Sequence, residues 1–385
     1  MGPLHDVKVV ELAGIGPGPM AAMMLADMGA TVLRIDRKEP SGLGVPRPQR
    51  FDLLLRGRRS VPLDLKQPEA VAFVLDLVAQ ADVLIEGFRP GVTERLGLGP
   101  DACLARNPRL VYGRITGYGQ EGPLAQEVGH DLNYIALTGA LHAIGRAGQP
   151  PSIPINLVGD FGGGTLYLVI GVLAALHDAR RSRRGQVVDA AMVDGVASLM
   201  TQAHGTFAAG MMSRERGTNI TDSGAPFYDV YPCADGRYLS IGAVEKRFYA
   251  EVLRVLDLPV EAMLAAQWDR PKWSEAKRAI ADRVATRPLD DWLGAFAGTE
   301  SCVAPVLDLD EATRHPHLQA RGTYVDVDGV TQPAPAPRFS RTPSAKPTPP
   351  PTPGSATEVD LAPWGLTAAR VFDLRRDGVI GRAAR

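Results

Sequence analysis

Residues 8–37 read K-V-V-E-L-A-G-I-G-P-G-P-M-A-A-M-M-L-A-D-M-G-A-T-V-L-R-I-D-R. The opening Lys8–Leu12 is short, apolar and rich in valine, which predicts a buried strand. A glycine- and proline-rich turn follows, then a helix over residues 20–28 ended by Gly29. A second strand over residues 31–35 closes at Asp36-Arg37. Two strands joined by so short a helical crossover lie parallel.

The alternation continues outward from this unit. A helix is expected over residues 68–79, a strand over Val83–Glu86, a helix over 100–107 and a strand over 110–115. An apolar helix over 165–177 precedes the basic turn R-R-S-R-R-G, and Q-V-V-D-A-A-M-V-D-G-V-A-S-L-M then reads as strand followed by helix. The expectation is an α/β fold: an open, mostly parallel, Rossmann-like sheet covered on both faces, in a large domain over residues 1–200. Residues 201–224 read as a polar, glycine-rich linker. Residues 228–243 read as a β-hairpin turning at Asp235-Gly236, with helices over 246–256, 273–286 and 289–297. Residues 225–325 are therefore expected as a smaller α+β domain. Proline and threonine make 326–357 an extended linker, and 358–385 a helical segment returning to the large domain.

Composition narrows the function. Lys and Arg number 42 against 43 Asp and Glu, so no overall field favours nucleic acid or an anionic membrane. The three cysteines, Cys103, Cys233 and Cys302, are far apart, which argues against a disulfide framework or zinc site. The start M-G-P-L-H-D-V lacks a signal-peptide pattern, the end A-A-R is no peroxisomal address, and the apolar run 166–176 reads as too short for a bilayer. A soluble cytoplasmic protein with no metal is expected.

Chemistry concentrates between residues 129 and 164. G-H-D-L-N-Y places His130 in a glycine-flanked loop, and N-L-V-G-D-F-G-G-G places Asp160 just before three glycines and an apolar helix. His130 is a candidate proton carrier near neutral pH. Asp160 is either a simple helix cap or a carboxylate facing a reacting carbon, with the N–H groups of residues 160–164 as oxyanion donors; the glycines favour the second reading. Glu245, at a strand-to-helix junction, either compensates a helix N-terminus or orients a charged histidine. Gly16-Pro17-Gly18-Pro19-Met20-Ala21 matches a dinucleotide fingerprint with Asp36 beyond it, yet Pro17 and Pro19 have no N–H to offer a pyrophosphate. Arg34, Arg37, Lys38, Arg56, Arg58, Arg59, Lys66 and Arg89 are each ordinary surface charges taken singly. Gathered at the carboxyl ends of parallel strands, they would hold a phosphorylated ligand.

Taken together, V-V-E-L-A-G-I-G-P-G-P, A-D-V-L-I-E-G-F-R-P-G-V, G-H-D-L-N-Y, N-L-V-G-D-F-G-G-G, G-Q-V-V-D-A-A-M-V-D-G and A-D-G-R-Y-L-S-I-G-A-V-E resemble the family III CoA-transferases, and within them the α-methylacyl-CoA racemases. The likeness extends to about Arg341; the proline-rich stretch after it departs from the pattern. It implies a 2-methylacyl-CoA substrate, no separate cofactor, and an interlocked homodimer of ring-like subunits, with the active site at the junction of large and small domains between subunits. By the resemblance, His130 and Asp160 are the two acid/base residues that invert the α carbon through an enolate, and Glu245 pairs with His130 of the other subunit. Arg37, Pro62, Leu63, Asp64, Leu65, Arg89 and the loop Gly129, His130, Asp131, Leu132, Asn133, Tyr134 would contact CoA or the thioester. Ile15, Tyr134 and Asn156 would border the acyl chain. The alternative is CoA transfer between carboxylic acids, with Asp160 as nucleophile. Those enzymes commonly carry G-F-D where this chain has G-H-D, which favours the racemase reading.

Overall fold

The computed structural model describes residues 2–39 and 42–381. The 383–385 end read for a targeting address lies outside them. The chain divides into two compact units: Met1–Thr138, Ile155–Leu199 and His317–Arg385 form the first, Gly139–Pro154 and Met200–Pro316 the second. Residues 139–154, expected in the large domain, thus belong with the second unit. So do residues 201–224, expected as a linker.

The first unit is built on six parallel strands: β1 (Lys8–Leu12), β2 (Thr31–Arg37), β3 (Arg58–Leu63), β4 (Val83–Glu86), β5 (Val111–Thr116) and β6 (Val187–Ala191). Their order is β3-β2-β1-β4-β5-β6. The direction of winding therefore reverses between β1 and β4, the crevice where doubly wound sheets bind ligands at their carboxyl ends.

Side chains alternate between the faces of this sheet. Val10, Leu12, Leu33, Ile35 and Leu84 pack with Phe73 and Leu77 of the Pro68–Val78 helix and with the C-terminal Trp364 and Val371. Val9, Val32, Val83, Ile85 and Val111 pack with Leu25 and with Leu168, Val169 and Val172 on the other side. Burial on both faces explains why these strands read as continuous apolar runs.

β3 escapes a pattern reading because R-R-S-V-P-L opens on two arginines and carries a proline. Proline is tolerated there because β3 is an edge strand. Its outer edge is covered by the C-terminal segment: the N–H groups of Ala356 and Gly381 donate to the carbonyls of Ser60 and Pro62 at 3.0 and 2.8 Å, and Leu63 bridges Ile380. The end of the stretch expected as an extended linker thus joins residues 380–381 in closing the sheet edge, and the Ala368–Arg376 helix packs on the sheet.

A second departure concerns the apolar helix after Asp160. A π-helical stretch, Leu157–Thr165, runs directly into the Leu166–Ser182 helix. The continuous helix Leu157–Ser182 has 26 residues and a mean hydropathy of 1.6, so by length and composition alone it is long enough to cross a bilayer. The apolar run judged too short is only part of it. Its Leu168, Val169, Val172, Ala175, Leu176 and Ala179 are packed into the core of the first unit.

The second unit holds an antiparallel sheet of β7 (Tyr228–Pro232), β8 (Tyr238–Gly242) and β9 (Val303–Val306). Asp235-Gly236 lies in the β7–β8 turn, where Gly236 takes φ 78°. The helices Lys246–Val255, Trp273–Val284 and Leu289–Phe296 bury Tyr249, Ile280 and Trp292 against that sheet. Back in the first unit, β10 (Tyr324–Val327) and β11 (Val330–Pro333) form a hairpin.

Candidate active site

Three connections meet at the carboxyl ends of the strands of the first unit. The turn after β1 carries residues 14–19, the loop after β4 carries Arg89, and the long connection after β5 carries His130 and then Asp160. The sheet thus gathers residues that are 16, 89, 130 and 160 along the chain.

Asp160 lies in the first turn of the π-helical stretch and is half-buried. Burial pushes its carboxyl above the usual 3.8, helped by the charge of Asp131; a hydrogen bond from Asn156 and the field of His130 oppose the rise. Asn156 donates Nδ2–H to Oδ2 of Asp160 at 3.1 Å. The residue before it, Ile155, holds φ 57°, a left-handed conformation that costs a β-branched residue roughly 1–3 kcal/mol. On the other side sits Gly16, φ 65°, where a Cβ would come within 3.4 Å of the Asp160 carboxylate. That distance is ordinary contact, so it is the positive φ that favours glycine there.

The oxyanion role expected of the N–H groups at 160–164 does not survive this geometry. The N–H groups of Gly159 and Asp160 both donate to Oδ1 of Asp131 at 2.7 Å. Further along, π-helical pairing turns N–H groups back toward carbonyls five residues earlier. The glycines serve packing instead. A Cβ on Gly163 would stand 2.6 Å from Val196, and one on Gly195 only 1.9 Å from the carbonyl of Gly163. They let the Met192–Leu199 helix approach this turn backbone to backbone.

His130 is exposed and precedes the Asp131–Leu137 helix; its N–H donates to Oδ1 of Asn133 at 3.0 Å. Tyr134 is buried, donates its hydroxyl to the carbonyl of Gly129 and meets Tyr118 edge-on at 5.0 Å. Burial pushes its phenol up to about 12. Gly129 is small because a Cβ there would lie 2.8 Å from Tyr134 and 2.9 Å from Tyr118. Its lack of bulk makes room for this aromatic pair.

The remaining expected residues separate clearly. Arg37 and Arg89 are exposed at the carboxyl ends of β2 and β4, with no side-chain hydrogen bond or ion pair among the described residues. Ile15 and Leu132 are exposed near the same edge, at 42% and 39% of their surface. Pro62 and Leu63 are buried, Leu63 within the core, and Leu65 packs against it. Asp64 accepts from Lys66 N–H and Gln67 within its own turn. Glu245 occupies the N-cap position of the Lys246–Val255 helix in the second unit without capping it, its side chain exposed and without a partner among the described residues.

The basic cluster resolves into two sets. Arg58 is fully buried and shares Glu11 with Arg34, and Arg34 also bonds Asp36 at 2.8 Å. Arg56 pairs with Asp27 at 2.6 Å, and Arg59 with Asp360 at 3.0 Å. Arg58 and Arg59 begin β3, at the end of the sheet away from the site. Asp36 is engaged by Arg34 and by Ser60, so it is not free to accept a ribose hydroxyl. Only Arg37, Lys38, Lys66 and Arg89 stand at the carboxyl edge, and Lys38 donates to the carbonyl of Gly378.

Residues 4–357 match the model of the CoA-transferase family III. The chain belongs to that family. Among family III relatives, the α-methylacyl-CoA racemase of Mus musculus is 42% identical over 381 residues, covering 98% of this chain and 97% of its own. The human α-methylacyl-CoA racemase is 40% identical over the same shares. A CAIB/BAIF family protein from Brucella suis superposes with a TM-score of 0.80 at 26% identity, over 94% of this chain and 99% of its own. The family III match thus spans both units.

Proposed function

We propose that this chain is a racemase that inverts the α carbon of 2-methylacyl-CoA thioesters by moving a proton between two side chains. Identity of 40–42% with two α-methylacyl-CoA racemases along nearly the whole chain is the observation that carries this reading. His130 and Asp160 are the two proton carriers. Asp160 sits in a low-dielectric setting that raises its proton affinity, while His130 is exposed. One accepts the α proton from one face of the carbon, and the other returns a proton to the opposite face of the planar enolate. Each therefore begins a turnover in the protonation state that the other ends it in. CoA belongs to the substrate, and no separate cofactor takes part.

Arg37 and Arg89 are the cations proposed for the CoA phosphates. With the 159 and 160 N–H groups engaged by Asp131, contact with the thioester falls to the residues on either side of it, Gly129, His130 and Leu132, Asn133 and Tyr134. The active protein is proposed as a cytoplasmic homodimer of interlocked, ring-like subunits, in which Glu245 of the partner subunit pairs with His130.

The test is incubation of a single-epimer 2-methylacyl-CoA in D₂O. Deuterium uptake at the α carbon together with approach to an equal epimer mixture is expected. CoA transfer to an added free acid, without epimerisation, would overturn the reading and make Asp160 a nucleophile. His130→Ala and Asp160→Ala are each expected to lower turnover by about 10²–10⁴-fold, as general acid–base groups do.

A further inference from the structure

Asp131 is a buried carboxylate, 5% exposed, that forms no ion pair among the described residues. Its Oδ1 accepts two backbone N–H groups, from Gly159 and Asp160, each at 2.7 Å. Its Oδ2 is buried and has no hydrogen-bond partner. Burying a carboxylate with half its acceptors unused is costly, so packing alone does not account for the residue.

The two N–H groups it holds are first-turn donors that the π-helical stretch cannot satisfy itself. Asp131 therefore caps, from another element, the turn that presents Asp160. The fit is close: a Cβ on Gly159 would fall 2.5 Å from Oδ1, so residue 159 must be glycine for the clamp to form. Asp131 also follows His130 directly in the chain.

We infer that Asp131 is a positioning residue: joined to His130 by one peptide bond and to the backbone of Asp160 by two hydrogen bonds, it sets the separation of the two proton carriers and the charge beside one of them. This rests on the racemase reading. Its chemistry follows from electrostatics. A fixed negative charge disfavours a second one nearby, so Asp131 helps keep Asp160 protonated at higher pH than a free aspartate.

The other groups around Asp160 act differently. Asn156 and His130 favour its ionised form. Tyr134 stays neutral, raised first by burial and then by Tyr118 and Asp160, with Arg89 lowering it. Gly16 is uncharged. In the neighbouring helix Pro17–Asp27, Asp27 is neutralised by Arg56, and Asp194 of Met192–Leu199 acts on Asp189. Among the described residues, Asp131 is therefore the one anionic neighbour raising Asp160.

Asp131→Asn retains a carbonyl oxygen for the clamp and removes the charge, whereas Asp131→Ala removes both. In full-length protein, Asp131→Asn is expected to keep kcat within about tenfold at its optimum and to move the acidic limb of its pH profile to lower pH. Asp131→Ala is expected to lose about 10²-fold in kcat with little change in KM, the scale of a misplaced catalytic group. A loss confined to KM would make Asp131 a substrate contact and overturn the proposal. A substrate-free readout separates this idea from the racemase reading: ¹³C NMR titration of the Asp160 carboxyl, assigned with Asp160→Asn. The Asp160 titration is expected at lower pH in Asp131→Asn than in the parent protein, whatever reaction the protein performs. Superimposed titrations would overturn the coupling, and this arm holds even if Asp131→Ala fails to fold.

Discussion

Nδ2 of Asn156 donates to Oδ2 of Asp160 at 3.1 Å. Asn156 thus reaches the carboxylate of Asp160 and favours its ionised form. In Asn156→Ala that support is gone, so Asp160 should hold its proton to higher pH. The acidic limb of kcat/KM is expected to move upward in the direction where Asp160 is the base. Profiles measured separately from each epimer check this; unchanged limbs in both directions would remove Asn156 from the proton chemistry.

Asp160 carries a cost in stability. Its folded-state value is raised above 3.8 because burial disfavours the anion. The stability that the neutral acid contributes is fully present below that unfolded value and is lost as pH rises through the folded one. Asp160→Asn, neutral at every pH, should therefore melt higher than the parent protein at pH 7. The two should converge below about pH 4, near the ordinary aspartate value. Thermal melts at both pH values decide it, and a variant that melts lower at pH 7 would contradict the burial argument.

Arg37 stands exposed at the end of β2 without a protein partner among the described residues. Losing a charge-assisted hydrogen bond of about 1.5–3 kcal/mol corresponds to a roughly tenfold to hundredfold rise in KM for the CoA thioester in Arg37→Ala. Steady-state kinetics, with circular dichroism to show an intact fold, provide the check. A fall in kcat at unchanged KM would move Arg37 out of the nucleotide contact.

Glu11 is fully buried and neutralises two buried arginines, Arg34 and Arg58. Removing the carboxylate leaves buried Arg58 without an ion-pair partner among the described residues and Arg34 with Asp36 alone, and breaking one buried pair costs about 3–5 kcal/mol. Glu11→Ala should therefore unfold at much lower urea concentration than the parent protein, with Arg37→Ala as the exposed control. Equal midpoints for Glu11→Ala and Arg37→Ala would show that the buried network contributes little.

Much of the architecture was legible in the amino-acid sequence, because parallel strands buried on both faces leave continuous apolar runs. β1 and β4 were placed to the residue, and the β7–β8 hairpin announced itself by Asp235-Gly236. β3 was not legible, since its edge position permits a proline and arginines that argue against a strand. Nor was the closing of that edge by residues 354–356 and 380–381, a pairing across some three hundred residues of chain.

The sequence by itself singled out the side chains proposed to carry the chemistry: His130 beside Gly129 and Asp160 before its glycines stand out by residue type and spacing. Tertiary structure alone decided what surrounds them. Eight basic residues looked equivalent in one dimension, yet the strands bury Arg34, Arg56 and Arg58 against carboxylates and leave Arg37 and Arg89 at the carboxyl edge. The three glycines suggested free N–H groups, yet the π-helical turn and the Asp131 clamp consume donors there, and the glycines admit a neighbouring helix. The physical reason is the same in both cases. A charge or an N–H group acquires its role from the partner within about 3 Å of it, and for these groups that partner comes from a distant part of the chain.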